Sequence, residues 1–243
     1  MSKRNPPAPL ERFYDEDNEY EICIDEAGRG CLFGRVYIAA VILPKSHDDF
    51  DGKDIKDSKK FSSKKKLNAV AEYVKEHARA WYVTSLDEKE IDQINILKAV
   101  MNGMHTCIRE IAQKMNPDTE NYLEKCFALI DGNYFTPVRW FNKTSETIQE
   151  LPFQTIEQGD GKYMGIAAAS ILAKTGRDNY IYELCQQYPI LDDHYSLSKN
   201  VGYGTVAHRN GITEHGITQW HRKTYGCCKT AVENRISEEH EPL

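Results

Sequence analysis

Two apolar runs that flank a glycine-rich segment limit the possible folds of this chain more than any other feature. The first run, YEICID, covers residues 20–25, and the second, VYIAAVIL, covers residues 36–43. A short apolar run bounded by a turn is typical of a buried strand. Two such strands joined by a short glycine loop indicate neighbouring antiparallel strands. The fold is therefore expected to begin with a sheet.

Beyond residue 60, the apolar residues follow helical and strand periods in turn. A helix capped by Ser62 or Ser63 is expected, with Leu67, Val70 and Val74 on its inner face. Further strands are predicted over residues 80–86, 126–131 and 153–157, with helices over 94–115, 164–184 and 202–216, the last broken by Gly211. Strands followed by alternating helices and strands predict an α/β fold, a mixed central sheet flanked by helices.

One catalytic domain is expected to occupy most of the chain. A chain of 243 residues is long enough to bury a sizeable core, and it shows no internal repeat and no second core. The predicted domain covers residues 19–226. A flexible tail is predicted over residues 1–18, and a polar, acidic tail over residues 227–243.

The distribution of charge says more about partners than the total does. The formal net charge is −6, whereas a chain that binds nucleic acid by electrostatics alone is usually basic. Residues 53–66, KDIKDSKKFSSKKK, nevertheless carry seven lysines and two aspartates. An enzyme that binds cations also needs a local acidic cluster, which lowers the total charge.

The seven cysteines predict reduced thiols. Their number is odd, their spacing is irregular and no CxxC pair occurs. This usage is typical of a cytoplasmic protein, or of a nuclear one in a eukaryotic host. The sequence contains neither a run that resembles a signal peptide nor one that could span a membrane, so no membrane partner is expected.

Acidic residues follow the predicted strands where the chain leaves the core. Asp25 and Glu26 end the first strand, Asp131 ends the strand at residues 126–131, and Asp160 lies in a GDG turn before the helix at residue 164. Such acids can converge at one edge of a sheet, although an acid at a strand end is usually only a solvated terminus. Carboxylate oxygens suit Mg²⁺ or Mn²⁺. Two such ions can hold the attacking water and the leaving oxygen of a phosphodiester cleavage.

A series of ordered motifs resembles the ribonuclease HII family, the type 2 ribonucleases H. The resemblance runs from about residue 20 to residue 226. In chain order the motifs are IDEAGRG at 24–30, DSKK at 57–60, IDQINIL at 91–97, IDGN at 130–133, GD at 159–160, AAASI at 167–171 with Lys174 and Arg177-Asp178, and GYGT at 202–205 with His208 and His221-Arg222.

The resemblance implies a ribonuclease H-like fold and a site of four carboxylates, namely Asp25, Glu26, Asp131 and Asp160, that binds two Mg²⁺ or Mn²⁺ ions. The aspartate at the fourth position, together with GRG, favours type 2 over type 3. The implied reaction is hydrolysis of the RNA strand of an RNA–DNA hybrid, or a nick 5′ to a single ribonucleotide in duplex DNA. The products carry 3′-hydroxyl and 5′-phosphate ends. We expect the enzyme to act as a monomer.

The resemblance also implies how the substrate is held. The backbone of Gly28, Arg29 and Gly30 contacts the 2′-hydroxyl, which can both donate and accept a hydrogen bond. Tyr203 packs against the ribose and the following deoxyribose. The candidate phosphate contacts are Ser58, Lys59, Lys60, Ser170 and Lys174. Each has a plainer interpretation, since the lysines suit a solvated loop and Ser170 suits close packing.

Two alternatives and one departure from the family pattern remain at this point. The first alternative is a binding module without catalysis, and the intact acids argue against it. The second is a nuclease of the same fold that acts on DNA alone, and the GRG and GYGT motifs argue against that. Where the family usually has GRGPLAGPV, this chain has GRGCLFGRV, with Cys31, Phe33 and Arg35 in place of proline, alanine and proline. The loss of two prolines is expected to loosen the loop that contacts the ribose.

Overall fold

The computed structural model describes residues 9–46, 48–117 and 121–237, which fall into two compact units. The first unit contains the described residues up to Asp25, with Ala39–Tyr82 and His105–Leu172. The second contains Glu26–Ile38, Val83–Met104 and the described residues from Ala173 onward. The predicted boundaries of the catalytic domain, at residues 19 and 226, stay a prediction.

The first unit holds most of a five-stranded mixed sheet, in the order β3-β2-β1-β4-β7. Strands β1, β4 and β7 pair in parallel. The strands are β1 (Tyr20–Ala27), β2 (Val36–Ile42), β3 (Ala80–Leu86), β4 (Cys126–Asp131), β5 (Arg139–Asn142), β6 (Thr147–Glu150) and β7 (Phe153–Ile156). Most apolar residues of β1 and β4 are buried, as is typical of parallel strands covered on both faces.

Helices flank the sheet, which confirms the predicted fold class. They are α1 (Lys64–His77), α2 (Glu88–Ile94), α3 (Ile96–Met115), α4 (Met164–Gln187), α5 (Ile190–Tyr195), α6 (Leu197–Asn200) and α7 (Val206–His215). Among the described residues, no helix combines the length and the apolar character that crossing a membrane requires.

The strands predicted at residues 80–86 and 126–131 are confirmed to the residue, and the helix predicted over residues 94–115 is found as α3, whereas α2 before it was missed. Asn95 has a positive φ of 69° and separates α2 from α3. Its N–H donates to the carbonyl of Ile91 and so ends α2. Its side-chain oxygen accepts the N–H of Lys98 at 3.1 Å and so caps α3. One asparagine therefore separates α3 from the helix that the sequence analysis missed.

The hairpin of β5 and β6 was missed by the sequence analysis. Its strands pair antiparallel, with Phe141 opposite Ile148 and Arg139 opposite Glu150. Phe141 and Ile148 are 57% and 74% exposed. The hairpin was missed because its alternation of apolar and polar residues is short. In addition, the apolar side chains of Phe141 and Ile148 are exposed, whereas apolar side chains usually mark the buried face of a strand.

Residues next to the sheet at the N terminus make specific contacts. The guanidinium of Arg12 donates to the carbonyls of Pro44, Ser46 and Phe50 at 2.6–2.9 Å. The carboxylate of Glu21 accepts the N–H of Tyr14 at 3.0 Å. These contacts fall within the predicted N-terminal tail, whose first eight residues lie outside the described part of the chain. Residues 238–243 of the predicted C-terminal tail lie outside it as well.

Gly211 does not break its helix, contrary to the sequence prediction, because α7 continues through it. A Cβ at this position would lie 2.0 Å from the backbone carbonyl oxygen of His194. Close contact between α7 and the end of α5 therefore requires glycine here, at a cost in helix propensity of about 1 kcal/mol against alanine.

We expect Gly211→Ala to destabilise the protein, although alanine is the better helix former. Crowding in a packed interior typically costs about 1–3 kcal/mol, and a backbone carbonyl cannot rotate away as a side chain can. The measurement is the midpoint of urea unfolding. The control is Asn210→Ala on the exposed side of the same helix, which should be neutral or slightly stabilising. A Gly211→Ala protein at least as stable as the parent would contradict the packing argument.

Candidate active site

Three of the four predicted carboxylates lie in the first unit at the carboxyl end of the parallel strands. Ile24 of β1 pairs with Ile130 of β4, so the next residues, Asp25 and Asp131, reach the same edge of the sheet. Strands paired in this way lie about 4.8 Å apart. Asp160 lies in the turn that follows β7, itself paired in parallel to β4. Parallel pairing thus brings Asp25 to the same edge as Asp131 and Asp160, which lie more than 100 residues later in the sequence.

Burial concentrates negative charge at this edge. Asp25 and Asp160 are only 5% and 6% exposed. The carboxylate of Asp131 accepts the N–H of Gly159 at 2.6 Å, which ties the end of β4 to the turn that carries Asp160. Burial raises the pKa of Asp131, and the charge of Asp160 raises it further, while the N–H of Gly159 opposes the rise. Carboxylates held this close favour a positive charge between them.

Lys59 supplies a positive charge to this cluster. Its ammonium lies 3.0 Å from a carboxylate oxygen of Asp160, although its side chain is 78% exposed. The hydrogen bond to Asp160 raises the pKa of Lys59. Asp57 holds the short turn that carries this lysine, because its side chain accepts the N–H of Lys59 at 2.9 Å. An exposed ammonium therefore stands at the edge of the carboxylates.

The donor set fits a divalent cation by its chemistry. Asp25, Asp131 and Asp160 offer only carboxylate oxygens, the ligands that Mg²⁺ and Mn²⁺ favour, and their mutual repulsion is relieved by a cation. In the described part of the chain, no three His, Cys, Asp or Glu side chains are arranged as ligands of one metal ion. The metal assignment of these residues therefore stays a prediction.

The fourth predicted carboxylate, Glu26, is the first residue of the second unit. Its side chain is 13% exposed and accepts a hydrogen bond from Arg29 at 3.1 Å. Arg29 belongs to the predicted ribose-contacting turn, and its side chain is 47% exposed. The acid and the turn are thus linked by an ion pair within three residues.

The turn of Gly28, Arg29 and Gly30 is held from within the second unit. Gly28 has a φ of 94°, and a Cβ there would lie 2.8 Å from Cδ of Arg177, so glycine is required by conformation and by space. The carbonyl of Arg29 accepts from the guanidinium of Arg222 at 3.0 Å and from the hydroxyl of Tyr225 at 3.1 Å. These contacts order the backbone that is predicted to reach the 2′-hydroxyl.

The loop after this turn is also fixed, although it lacks the family's prolines. The N–H of Leu32 donates to the carbonyl of Gly202 at 2.9 Å, and its carbonyl accepts the N–H of Arg222 at 2.8 Å. The buried guanidinium of Arg222 donates to the carbonyl of Gly34 at 2.9 Å. The expected loosening is therefore offset by hydrogen bonds from distant parts of the chain.

Tyr203 presents an exposed ring over a buried cation. The residue is 45% exposed, and its ring centroid lies 4.9 Å from Cζ of Arg177. Arg177 itself is 1% exposed and is paired with Asp178 through its Nε at 2.9 Å. Despite burial, which opposes it, the charge and hydrogen bond of Asp178 raise the pKa of Arg177. Arg177 is thus a permanent cation on which the tyrosine rests.

The backbone of Tyr203 is held by two buried histidines. Nδ1 of His208 lies 3.0 Å from the carbonyl oxygen of Tyr203, and Nε2 of His208 lies 3.2 Å from Nε2 of His221. The N–H of Thr218 donates to Nδ1 of His221 at 2.9 Å, which assigns the proton of that ring to Nε2. Burial lowers the pKa of His221 to about 3, so the ring is neutral. The two histidines thus form a chain of contacts that supports the backbone of Tyr203.

The remaining candidate phosphate contacts hold other protein groups. The hydroxyls of Ser58 and Ser170 are both buried and lie 3.0 Å apart. Lys60 lies 3.6 Å from Asp57, and Lys174 lies 3.1 Å from Asp178. The two lysines are the better placed for phosphate, since 55% and 28% of their side chains are exposed. Phosphate binding by all four residues stays a prediction.

Arg177 and Arg222 are the supporting residues whose role sequence reasoning missed. Both lie within quoted motifs, but neither was assigned to the turn that it holds. A signal for Arg177 exists, because it falls between Ala173 and Ile181 at intervals of four, on a helix face that is otherwise apolar and buried. An arginine on such a face requires a buried partner. Its distant partners cannot be read from that spacing.

Comparison with known proteins gives consistent matches over most of the chain. The family model described as Ribonuclease HII matches residues 22–228. The curated Ribonuclease HII of Parabacteroides distasonis is 44% identical over 212 residues, which are 87% of this chain and 92% of the relative.

Solved structures agree in fold. A chain from the structure of the PCNA:RNase HII complex from Archaeoglobus fulgidus aligns with a TM-score of 0.61 and 24% identity, covering 85% of this chain and 95% of that one. Bst-RNase HIII, solved in complex with Mn²⁺, aligns with a TM-score of 0.57 and 15% identity, covering 81% of this chain and 70% of that one.

Proposed function

Because the chain belongs to the ribonuclease HII family, whose activity is that of a metal-dependent type 2 ribonuclease H, we propose that it hydrolyses the RNA strand of RNA–DNA hybrids and also nicks duplex DNA 5′ to a single embedded ribonucleotide. The products are a 3′-hydroxyl and a 5′-phosphate. The observation that carries the second activity is the turn at Gly28, which follows Asp25-Glu26 after one residue, packs against the side chain of Arg177 and has the carbonyl of Arg29 held by Arg222.

Recognition of the ribose is assigned to this turn. The 2′-hydroxyl distinguishes RNA from DNA, and backbone groups of Gly28, Arg29 and Gly30 are assigned to bind it. Tyr203 is assigned to pack against the sugar with its exposed ring. A substrate without the 2′-hydroxyl leaves the backbone partners unpaired, at a cost of about 1–3 kcal/mol. The phosphate next to such a sugar is also poorly positioned for cleavage.

Catalysis is assigned to Asp25, Glu26, Asp131 and Asp160, which would hold two Mg²⁺ or Mn²⁺ ions. Bound there, the ions supply activation of water and stabilisation of the leaving oxygen. The N–H of Gly159 holds the carboxylate of Asp131 in place. Lys59 places its exposed ammonium beside Asp160, where it can attract a phosphate of the substrate. Lys60, Lys174, Ser58 and Ser170 are assigned to further phosphate contacts.

The experiment is mapping of cleavage sites on three labelled duplexes of one sequence: all DNA, DNA with one ribonucleotide, and a continuous RNA–DNA hybrid. We expect no cleavage of the first, a single 5′ nick in the second and several cuts in the third. A polymerase should extend the 3′ end at the nick. Cleavage restricted to runs of several ribonucleotides would remove the single-ribonucleotide activity from the proposal. Cleavage of the all-DNA duplex would instead indicate a nuclease of another specificity.

We expect Lys59→Ala/Lys60→Ala to weaken binding to all hybrid sequences alike. Each lost phosphate contact reduces the slope of log K against log salt by about one unit, because fewer counterions are released. The measurement is hybrid binding by fluorescence anisotropy in EDTA between about 50 and 200 mM salt, the range over which such contacts dominate affinity. Lys65→Ala/Lys66→Ala is the matched control, since both lysines are exposed on the first turn of α1. If the slope of log K against log salt is the same for the two double variants, Lys59 and Lys60 face solvent and do not contact phosphate.

The state of the cysteines supports a proposal about where the protein is located, and its assembly is proposed separately. None of the seven cysteines, all of which lie in the described part of the chain, forms a disulfide, as is usual in the reducing cytoplasm. We propose that the enzyme acts as a monomer, which sedimentation of the purified protein tests directly.

A further inference from the structure

We propose that Cys31 is a positioning residue for this reaction, whose sulfur fixes the guanidinium of Arg177 on which the ring of Tyr203 stacks. The inference rests on the proposed function, since it takes Tyr203 to contact the sugar. It concerns a position at which this chain has cysteine and the usual family motif has proline.

The sulfur of Cys31 joins two segments that are far apart in sequence. It accepts a hydrogen bond from Nη1 of Arg177 at 3.2 Å and donates one to the carbonyl of Val201 at 3.8 Å. Accepting and donating together require the protonated thiol. Burial raises the pKa of Cys31, against the opposing influence of Arg177 and Arg222, so the thiol keeps its proton. The residue is 0% exposed, and solvent therefore cannot replace either partner.

The two edges of the Arg177 guanidinium are held by different groups. Asp178 accepts from Nε and Nη2, and the sulfur of Cys31 accepts from Nη1. With an acid at one edge and a sulfur at the other, the plane of the guanidinium has little freedom to rotate. Its face carries the Tyr203 ring at 4.9 Å, so the plane of the cation sets the position of the ring.

The same cysteine also limits movement of the turn before Tyr203. Val201 accepts its thiol proton, and a Cβ on Gly202 would lie 3.6 Å from Cβ of Cys31. Cys31 lies next to the turn of Gly28–Gly30, and its N–H donates to the carbonyl of Gly28 at 3.3 Å. One side chain thus connects the backbone assigned to the 2′-hydroxyl with the ring assigned to the sugar.

The test compares kcat and KM on the single-ribonucleotide duplex and on the continuous hybrid. Cys31→Ala and Cys31→Val remove the sulfur, the first leaving a smaller side chain and the second a larger one, and Cys31→Ser keeps a donor and an acceptor. We expect the first two variants to lower kcat on the single ribonucleotide about 10-fold, as loss of a hydrogen bond to a charged group typically does. Activity on the continuous hybrid should change less than about 2-fold, and Cys31→Ser should recover most of the loss. Cys228→Ala, which removes another buried thiol of the same unit, should leave the ratio of the two activities unchanged.

A double-variant cycle separates positioning from a structural role. If Cys31 acts through Tyr203, Cys31→Val should have no further effect on selectivity in a Tyr203→Ala background. Equal losses on both substrates, or an undiminished effect of Cys31→Val in that background, would overturn the inference. The three variants differ in the size of the side chain. If Cys31→Ala fails to fold, Cys31→Val and Cys31→Ser can therefore still be compared. An unmodified enzyme that does not nick a single ribonucleotide would refute the proposed function instead, and the two failures are therefore distinguishable.

Discussion

Asp131→Asn is expected to abolish cleavage while leaving the fold and hybrid binding almost unchanged. The substitution removes one ligand charge and keeps the shape of the side chain, and the amide oxygen can still accept the N–H of Gly159, which lies 2.6 Å from the carboxylate. Loss of a group that only surrounds a metal typically costs about 10–100-fold, so loss of a ligand should exceed about 100-fold. The measurements are the single-turnover rate at saturating Mg²⁺ or Mn²⁺, the unfolding midpoint and hybrid affinity in EDTA.

The matched control is Asp192→Asn in the second unit. Like Asp131, Asp192 accepts a backbone N–H, that of Ser198 at 2.7 Å, but it belongs to none of the proposed contacts. It should retain full activity. An Asp131→Asn enzyme with substantial activity would remove the carboxylate from catalysis. Full activity of the parent enzyme in excess chelator would remove the metals altogether.

The main strands and their acids were predictable because two local signals coincide there. Apolar runs such as residues 126–131 mark buried strands, and an acid that ends such a run must leave the core. Parallel pairing then brings Asp25 and Asp131 to one edge without further information from side chains. The position of Asp160 follows from its place after β7. These features depend on the spacing of apolar residues and on which end of each strand carries the acid, and both can be read from a single sequence.

What escaped prediction depends on partners that are distant in sequence. Asn95 ends α2 and caps α3 through its own backbone and side chain, and α2 was missed because only two of its seven residues, Ile91 and Ile94, are apolar. Gly211 appears to be a helix breaker until the carbonyl of His194 is known to lie against it. Arg222 supports the carbonyl of Arg29 across 193 residues. No local pattern encodes such a pairing, although a buried arginine signals that a partner exists.

The supporting residues also explain how the loop tolerates its unusual sequence. Proline restricts a loop by fixing its own φ. Here Cys31, Arg177 and Arg222 restrict the same loop through hydrogen bonds between distant segments. A loop fixed by tertiary contacts is sensitive to substitutions elsewhere, whereas one fixed by proline is not. Selectivity for the ribose should therefore depend on more residues in this protein than the turn itself.

Tyr203→Ala is expected to lower the rate on a single embedded ribonucleotide about 10-fold or more, and to lower the rate on a continuous hybrid much less. Loss of an aromatic stacking contact with a nucleotide costs about 1–3 kcal/mol. A continuous hybrid offers a 2′-hydroxyl in every register, so a poorly held sugar is replaced by its neighbour. A single ribonucleotide offers one register only. The loss of the contact with Tyr203 therefore lowers its cleavage rate in full.

The measurement is the ratio of kcat/KM on the two substrates, because a general loss of stability or binding lowers both values and leaves the ratio unchanged. Tyr203→Phe keeps the ring over Arg177 and should keep the ratio of the parent enzyme. Phe141→Ala, which removes a comparably exposed ring from the β5–β6 hairpin, should also leave it unchanged. If Tyr203→Ala reduces both activities by the same factor, its ring supports the fold of the second unit and does not select the ribose. If only the single-ribonucleotide activity falls, the stacked pair of Tyr203 and Arg177 determines which sugars this enzyme accepts.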